Sequence, residues 1–227
     1  MSKVVFITGS SSGIGMETAK AFSKKGWNVI VTYLSSAKQG KSVKQECEKL
    51  GAQSVMLVQL DVTKDSSIKS AFNKIKKKYG KIDVLVNNAG IVIWKPFNKY
   101  TFKDIEKELR VNLEGTVKVT SVFLPIVKST IANLASRLGL TVSHNCSVYA
   151  ASKWGVRGFT KSVALENKDL FLFSVNPSMT ATRMTDFEGV PASSVADLIL
   201  EAVEGKRKLE SGGDLNVWEI LHQTPPK

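Results

Sequence analysis

Tyr149 and Lys153 stand four residues apart in Tyr149-Ala150-Ala151-Ser152-Lys153, with Ser136 upstream. On a helix that spacing puts both side chains on one face, where they can act on one small site. A phenol with a pKa of about 10 is a weak acid–base catalyst at neutral pH. A fixed ammonium within a few ångströms favours the phenolate, so Lys153 is expected to lower the Tyr149 pKa into a useful range. The same pair also suits an ordinary amphipathic surface, and short motifs alone are weak.

A second feature points to a nucleotide. The apolar run Val4-Val5-Phe6-Ile7 has strand character and leads into Thr8-Gly9-Ser10-Ser11-Ser12-Gly13-Ile14-Gly15. A helical pattern follows through Ala19, Phe22 and Trp27. Strand, glycine turn and helix is the setting in which a pyrophosphate rests on the free N–H groups of a helix start. Gly9 permits the tight turn, Gly13 lets backbone approach phosphate, and Gly15 lets the helix pack on the strand. The spacing is G-x-x-x-G-x-G rather than G-x-G-x-x-G. A Ser/Gly-rich loop before an ordinary helix is the alternative, and the flanking elements weigh against it.

The elements that must position these residues alternate along the chain. The pattern predicts strands at 3–7, 28–33, 54–59, 82–86, 129–135, 169–175 and 214–220. It predicts helices at 13–25, 37–50, 64–79, 101–127, 148–166 and 193–204. Such alternation implies an α/β fold: a doubly wound parallel sheet of about seven strands covered on both faces. A ligand would cross the carboxyl ends of the strands where their order reverses. Every motif falls at such an end or on the helix leaving it.

In this order and spacing the chain resembles the short-chain dehydrogenase/reductases over residues 3 to about 185. The resemblance rests on the glycine turn, Asp61-Val62 after the third strand, and Asn87-Asn88-Ala89-Gly90 after the fourth. Asn112, Ser136 thirteen residues before Tyr149, Lys153, and Asn176-Pro177 after the sixth strand complete it. It implies a Rossmann-type three-layer sandwich and a single NAD(P)-binding domain over 1–227 with the catalytic site built in. It implies further that a nicotinamide cofactor carries the hydride while the protein supplies position and proton transfer.

The same resemblance assigns roles. Tyr149 would donate a proton to the carbonyl oxygen or remove one from the hydroxyl. Lys153 would tune Tyr149 and bind the nicotinamide ribose. Ser136 would hold the substrate oxygen. Asn112 would hold a water that links Lys153 to solvent, unless it only bonds backbone. Gly9, Ser11, Ser12, Gly13, Ile14 and Gly15 would cradle the phosphates. Asp61 and Val62 would meet the adenine, with Asn88, Ala89 and Gly90 on the adenosine side. Pro177, Ser178, Thr180 and Thr182 would face the nicotinamide, Ser178 replacing the glycine usual in the family. The short lid from Arg183 to Pro191 suggests a modest pocket. Ile93, Trp94, Val142, His144, Met179 and Phe187 could line it or simply pack in the core. His144 and His222 are expected at the surface or in hydrogen bonds.

Cofactor choice is read near Tyr33. NAD sites place a carboxylate about 20 residues past the glycines. Here Val31-Thr32-Tyr33-Leu34-Ser35-Ser36 has none before Glu46. With Ser35, Ser36, Lys38 and Lys41 available for a 2′-phosphate, NADP(H) is favoured over NAD(H).

Composition sets the remaining bounds. With 227 residues, 43% hydrophobic and 23% charged, the chain can bury a large core. It has no apolar run of the roughly 18–20 residues that span a bilayer and no signal-peptide pattern, so a cytoplasmic protein is expected. Cys47 and Cys146 suggest reduced thiols, and no metal site is expected. The net charge of +12 is scattered, in small runs such as Lys74-Lys76-Lys77-Lys78, without interleaved aromatics. A basic surface fits better than nucleic-acid binding, although an acidic carrier protein or phosphorylated cofactor would benefit.

The C-terminal segment, residues 194–200 and then 214–220, resembles the ending of relatives that act on small hydroxy acids and ketones, which implies a substrate of that kind. A 3-oxoacyl-[acyl-carrier-protein] reductase is the runner-up, and a non-catalytic NAD(P)-binding sensor is the alternative of another class. The resemblance also implies a homodimer or homotetramer, through the long helices at 101–127 and 148–166.

Overall fold

Val4–Ile7 is buried at every position, and its apolar side chains leave both faces of the sheet needing cover. The structure is a computed structural model that describes residues 3–221; His222 lies outside them. From Val4–Ile7 (β1) the chain runs through α1 (Gly13–Ser23), β2 (Asn28–Tyr33), α2 (Ala37–Lys49), β3 (Ser54–Gln59), α3 (Asp65–Tyr79) and β4 (Ile82–Asn87). It continues through α4 (Phe102–Leu109), α5 (Gly115–Phe123), β5 (Val127–Leu134), α6 (Ser147–Glu166) and β6 (Phe171–Asn176). A short pair, β7 (Thr180–Ala181) and β8 (Val190–Pro191), frames the lid before α7 (Ala192–Val203), β9 (Gly213–Asn216) and α8 (Val217–Ile220).

The main sheet has the order β3-β2-β1-β4-β5-β6-β9, and its pairings are parallel. The order reverses between β1 and β4, so the loops after those strands open a crevice at their carboxyl ends. One core, with Phe22, Val29 and Ile199, lies under α1, α2 and α7. The other, with Phe6, Ile75, Phe123 and Ile131, lies under α3, α5 and α6. Helices on both faces explain why the strands read as continuous apolar runs.

Two expected elements differ. The helix expected over 101–127 is broken into four pieces. A π turn at Arg110–Glu114 separates α4 from α5, a 3-10 turn over Leu124–Ile126 ends the run, and β5 begins at Val127. Pro125 accounts for the end, because its ring and missing N–H cannot continue a helix. The strand expected over 214–220 stops at Asn216 and turns into α8.

β9 is pinned by charge. Arg157 of α6 donates from Nε and Nη2 to the two Asp214 oxygens at 2.8 and 2.7 Å, and Lys161 approaches at 3.0 Å. Ser174 and Asn176 of β6 also donate to Asp214. Burial pushes the Asp214 carboxyl up, but these donors outweigh it and hold it well below the usual range. Its contribution is therefore present above the unfolded pKa of about 3.9 and lost as pH falls through the folded value. Asp214→Ala leaves the partly buried Arg157 with only Gly139 O at 2.6 Å and is expected to cost about 1–3 kcal/mol, read as a lower midpoint in urea melts.

Candidate active site

The glycine turn is held open by its neighbours. Gly9 and Gly13 have φ of +63° and +56°, a left-handed backbone that other residues adopt only at a cost. Ser10 Oγ accepts from Thr32 N at 2.8 Å and donates to Ile7 O at 2.9 Å, tying the turn to β2. Asn88 Nδ2 donates to Thr8 O and Gly9 O at 2.9 and 3.1 Å, while Thr8 Oγ1 accepts from Asn88 N and Ala89 N. A Cβ on Gly9 would sit 2.9 Å from Ala89 Cα, and one on Gly15 would sit 2.7 Å from Gly9 O. The turn therefore packs against the Asn88–Ala89 loop with no room to spare. Ser12, the N-cap of α1, makes no side-chain cap, and the first turn carries no acid. That start offers open N–H groups and a positive dipole end, which fits a pyrophosphate.

Thr182 reaches this turn from the lid: a Cβ on Gly13 would lie 3.2 Å from its Cγ2. Thr182 Oγ1 accepts from Met184 N, and Thr180 Oγ1 donates to Ser178 O at 3.0 Å. Pro177 O accepts from Arg137 N at 2.8 Å, joining the loop after β6 to the end of β5. On the other flank, Asp61 Oδ1 accepts from Thr63 N and Oγ1 at 3.0 and 2.6 Å. Burial raises the Asp61 carboxyl, but the Thr63 hydrogen bonds and Lys64 leave it lowered overall. Val62 packs on Gly115 of α5, and Tyr33 packs against Gly40 of α2. Ser35, Lys38 and Lys41 are exposed beyond Tyr33.

The expected acid–base residues converge on the other side. Asn112, buried in the π turn, accepts from Ile91 N at 2.8 Å and donates to Ile91 O at 2.9 Å and Ser152 Oγ at 3.2 Å. A Cβ on Gly90 would lie 3.3 Å from Asn112 Oδ1 and 3.6 Å from Lys153 Nζ, so these three groups meet. Lys153 is 4% exposed, donates to Leu134 O at 2.7 Å, and stands 5.5 Å from the Tyr149 ring centre. Ser136 Oγ accepts from Leu138 N at 3.1 Å, and the Ser136 side chain acts on the Tyr149 phenol in the sense that favours its ionised form.

The electrostatics depart from the sequence expectation. Burial pushes the Tyr149 phenol up to about 12, against the pull of Ser136. Burial also pulls the Lys153 ammonium down to about 8, with Glu108 acting the other way. Lys153 is directed to a carbonyl and desolvation dominates, so the phenol is raised rather than lowered.

Two residues escaped the sequence reading. Glu108 of α4 is fully buried near Lys153, where an amphipathic pattern with charges on either side gave no sign of burial. Arg183 reaches across from the lid to the first turn of α2. With the Gln39 amide presenting its oxygen, both Arg183 Nη atoms donate to it at 3.0 Å. They border a groove of about 540 Å³ lined by Ser11, Ser12, Gly13, Ser42, Thr182 and Phe187, among others. Only the fold brings residues 39 and 183 together. Of the expected pocket residues, Trp94, Val142, Met179 and Phe187 are 42–82% exposed, which sets aside their core-packing alternative. His144 is exposed and Ile93 is partly buried.

Comparison with known proteins adds four findings. The sequence profile described as short chain dehydrogenase matches residues 3–189. The chain is 36% identical over 190 residues to a 3-oxoacyl-[acyl-carrier-protein] reductase FabG of Thermotoga maritima, covering 81% of this chain and 76% of that protein. It is 32% identical over 170 residues to a D-beta-hydroxybutyrate dehydrogenase of Rhizobium meliloti, covering 73% and 66%. A crystal structure of a short chain dehydrogenase from Burkholderia cenocepacia J2315 in complex with NADP matches with a TM-score of 0.87 at 28% identity, over 94% of this chain and 95% of that one.

Proposed function

The chain belongs to the short-chain dehydrogenase family of oxidoreductases, and from that premise we propose that it is an NADP(H)-dependent carbonyl reductase. Its substrate on this reading is a small ketone or hydroxy-acid derivative, with Tyr149 as the proton donor. The observation that carries the reading is the convergence of Ser136, Tyr149, Lys153 and Asn112 beside an uncapped helix start. When bound, the nicotinamide cofactor supplies hydride to the substrate carbon or takes it back.

The chain's own residues do the rest. With its phenol pushed up to about 12, Tyr149 keeps its proton through the neutral range. It is thus ready to donate to a carbonyl oxygen, which favours reduction at neutral pH. Ser136 shares that oxygen and orients it. Lys153, at about 8, still carries its ammonium at neutral pH, where it can bind a ribose and stabilise charge on Tyr149. Asn112 fixes Ile91 and so shapes the wall beside Gly90. A cytoplasmic homo-oligomer of single-domain subunits belongs to the same proposal. Among the described residues no helix is long and apolar enough to cross a membrane.

Preference for NADP(H) is supported by the bare end of β2 and by Arg183, the guanidinium that β2 lacks. A 2′-phosphate accepts charge-assisted hydrogen bonds that a 2′-hydroxyl cannot match. In initial-rate assays at 340 nm over a panel of 3-oxoacyl thioesters, 3-oxo esters and diketones, NADPH is expected to exceed NADH in kcat/KM. Arg183→Ala should erase roughly tenfold of that preference, chiefly through the KM for NADPH. Equal use of both cofactors by wild type would remove the NADP(H) assignment. The 3-oxoacyl thioesters in the panel test the second reading, which the 36% identity to a FabG favours.

A further inference from the structure

The segment Ile91–Ile93 leaves β4 along the wall of the crevice and is held from one helix face at two points. Asn112 clasps Ile91 through both its N–H and its carbonyl. One helical turn earlier, Glu108 Oε1 accepts from Ile93 N at 2.8 Å. Residues four apart along the helical run thus grip residues two apart in the segment after β4. Glu108 is 0% exposed, which is unusual for a carboxylate without a full set of donors.

Its second oxygen is poorly served. Tyr100 has one hydroxyl proton and gives it to Ile93 O at 2.5 Å, leaving Glu108 Oε2 a longer contact of 3.3 Å. The titratable and charged groups facing Glu108 are Tyr100 from the preceding loop, Asp104 from its own helix, and Cys146, Tyr149 and Lys153 from α6 and its approach. Tyr100, Cys146 and Tyr149 are neutral at neutral pH, and Asp104 is bound up with Lys95 at 2.5 Å. Lys153 is the cation in that set, and geometry brings it close: its Nζ meets Asn112, four residues on from Glu108, at Gly90, with 3.6 and 3.3 Å to a Cβ built there.

We infer that Glu108 is a positioning residue of the proposed reaction, latching Ile93 to α4 and serving as the buried counter-charge that keeps Lys153 an ammonium. Burial raises the Glu108 carboxyl above its ordinary value, with the Ile93 and Tyr100 hydrogen bonds and Lys153 acting against this. Burial lowers Lys153 to about 8, and Glu108 works against that fall. Each charge therefore supports the other. Without Glu108, Lys153 would lose its proton closer to neutrality, and with it the charge the proposed mechanism needs. This inference rests on the oxidoreductase reading for its purpose, but its physical content does not.

The test separates the two. Lysine labelled with ¹³C at Cε reports the titration of Lys153 by NMR in the full-length protein, with Lys153→Met identifying the signal. Glu108→Gln keeps an acceptor for Ile93 N and removes the charge. The Lys153 midpoint is expected to fall by roughly one pH unit in Glu108→Gln. Amide exchange at Ile93 should stay slow in Glu108→Gln and become at least tenfold faster in Glu108→Ala. With any carbonyl from the panel, the alkaline limb of the rate profile should move to lower pH in Glu108→Gln without a change in KM. An unchanged Lys153 midpoint in Glu108→Gln overturns the counter-charge, and unchanged Ile93 exchange in Glu108→Ala overturns the latch. Shifted midpoints in a protein that turns over no carbonyl would leave the inference standing and count against the oxidoreductase reading. If Glu108→Ala does not fold, the Glu108→Gln titration decides.

Discussion

Tyr149→Phe is expected to lower kcat by about 10²–10⁴-fold while leaving cofactor binding and thermal stability close to wild type. The size follows from what is removed. Phenylalanine keeps the ring that Lys153 approaches at 5.5 Å, so packing on α6 survives. It loses the one proton positioned beside the Ser136 hydroxyl. Ser136 still accepts from Leu138 N, so the end of β5 keeps its shape. The loss should fall on kcat, because the proton moves only as the carbonyl is reduced. A large fall in NADPH affinity in this variant would assign Tyr149 to binding instead.

Lys153→Met should have the next largest effect, with kcat lower by about 10²–10³-fold and a raised KM for cofactor. Methionine fills a similar buried volume, but it cannot donate to Leu134 O or carry charge. A second, substrate-free consequence concerns stability. The Lys153 pKa is lowered on folding from about 10.4 in an unfolded chain to about 8. Between those values the unfolded chain holds more protons, so wild-type stability rises with pH across that window. Tyr149, raised on folding to about 12, acts in the opposite sense, but only above its unfolded value of about 10. Urea melts at pH 8 and 9.5 should therefore show wild type gaining on Lys153→Met. A parallel pH dependence in the two proteins would mean that Lys153 is not desolvated as its 4% exposure implies.

Much of this was legible before the fold. The order of strands and helices follows from apolar runs alternating with amphipathic ones, and parallel strands buried on both faces leave that signature plainly. Gly9 and Gly13 were legible for a local reason: a left-handed φ leaves few residue types to choose from. The Asn112 site was legible as a residue and not as a geometry. A π turn closes i→i+5 bonds, and Arg110–Glu114 contains no residue that breaks a helix, so α4 and α5 read as one helix. Pro125 is the visible signal of its end.

What the sequence could not show was burial and reach. The pKa of Tyr149 depends on how much water the surrounding loops exclude, and spacing alone suggested the opposite direction. Arg183 and Gln39 lie 144 positions apart in sequence and meet only because the lid folds over α2. Glu108 belongs to a helix whose neighbouring charges are exposed, so nothing in Glu106-Lys107-Glu108 marks which one is inside.

The central claim is that this fold places a nicotinamide cofactor against Tyr149, and fluorescence titration of the wild-type protein with NADPH and NADH tests it most directly. Saturable NADPH binding with a Kd in the range of about 1–100 μM, and weaker binding of NADH, is the predicted result. Failure of both to saturate would contradict the account at its base, whatever the later chemistry.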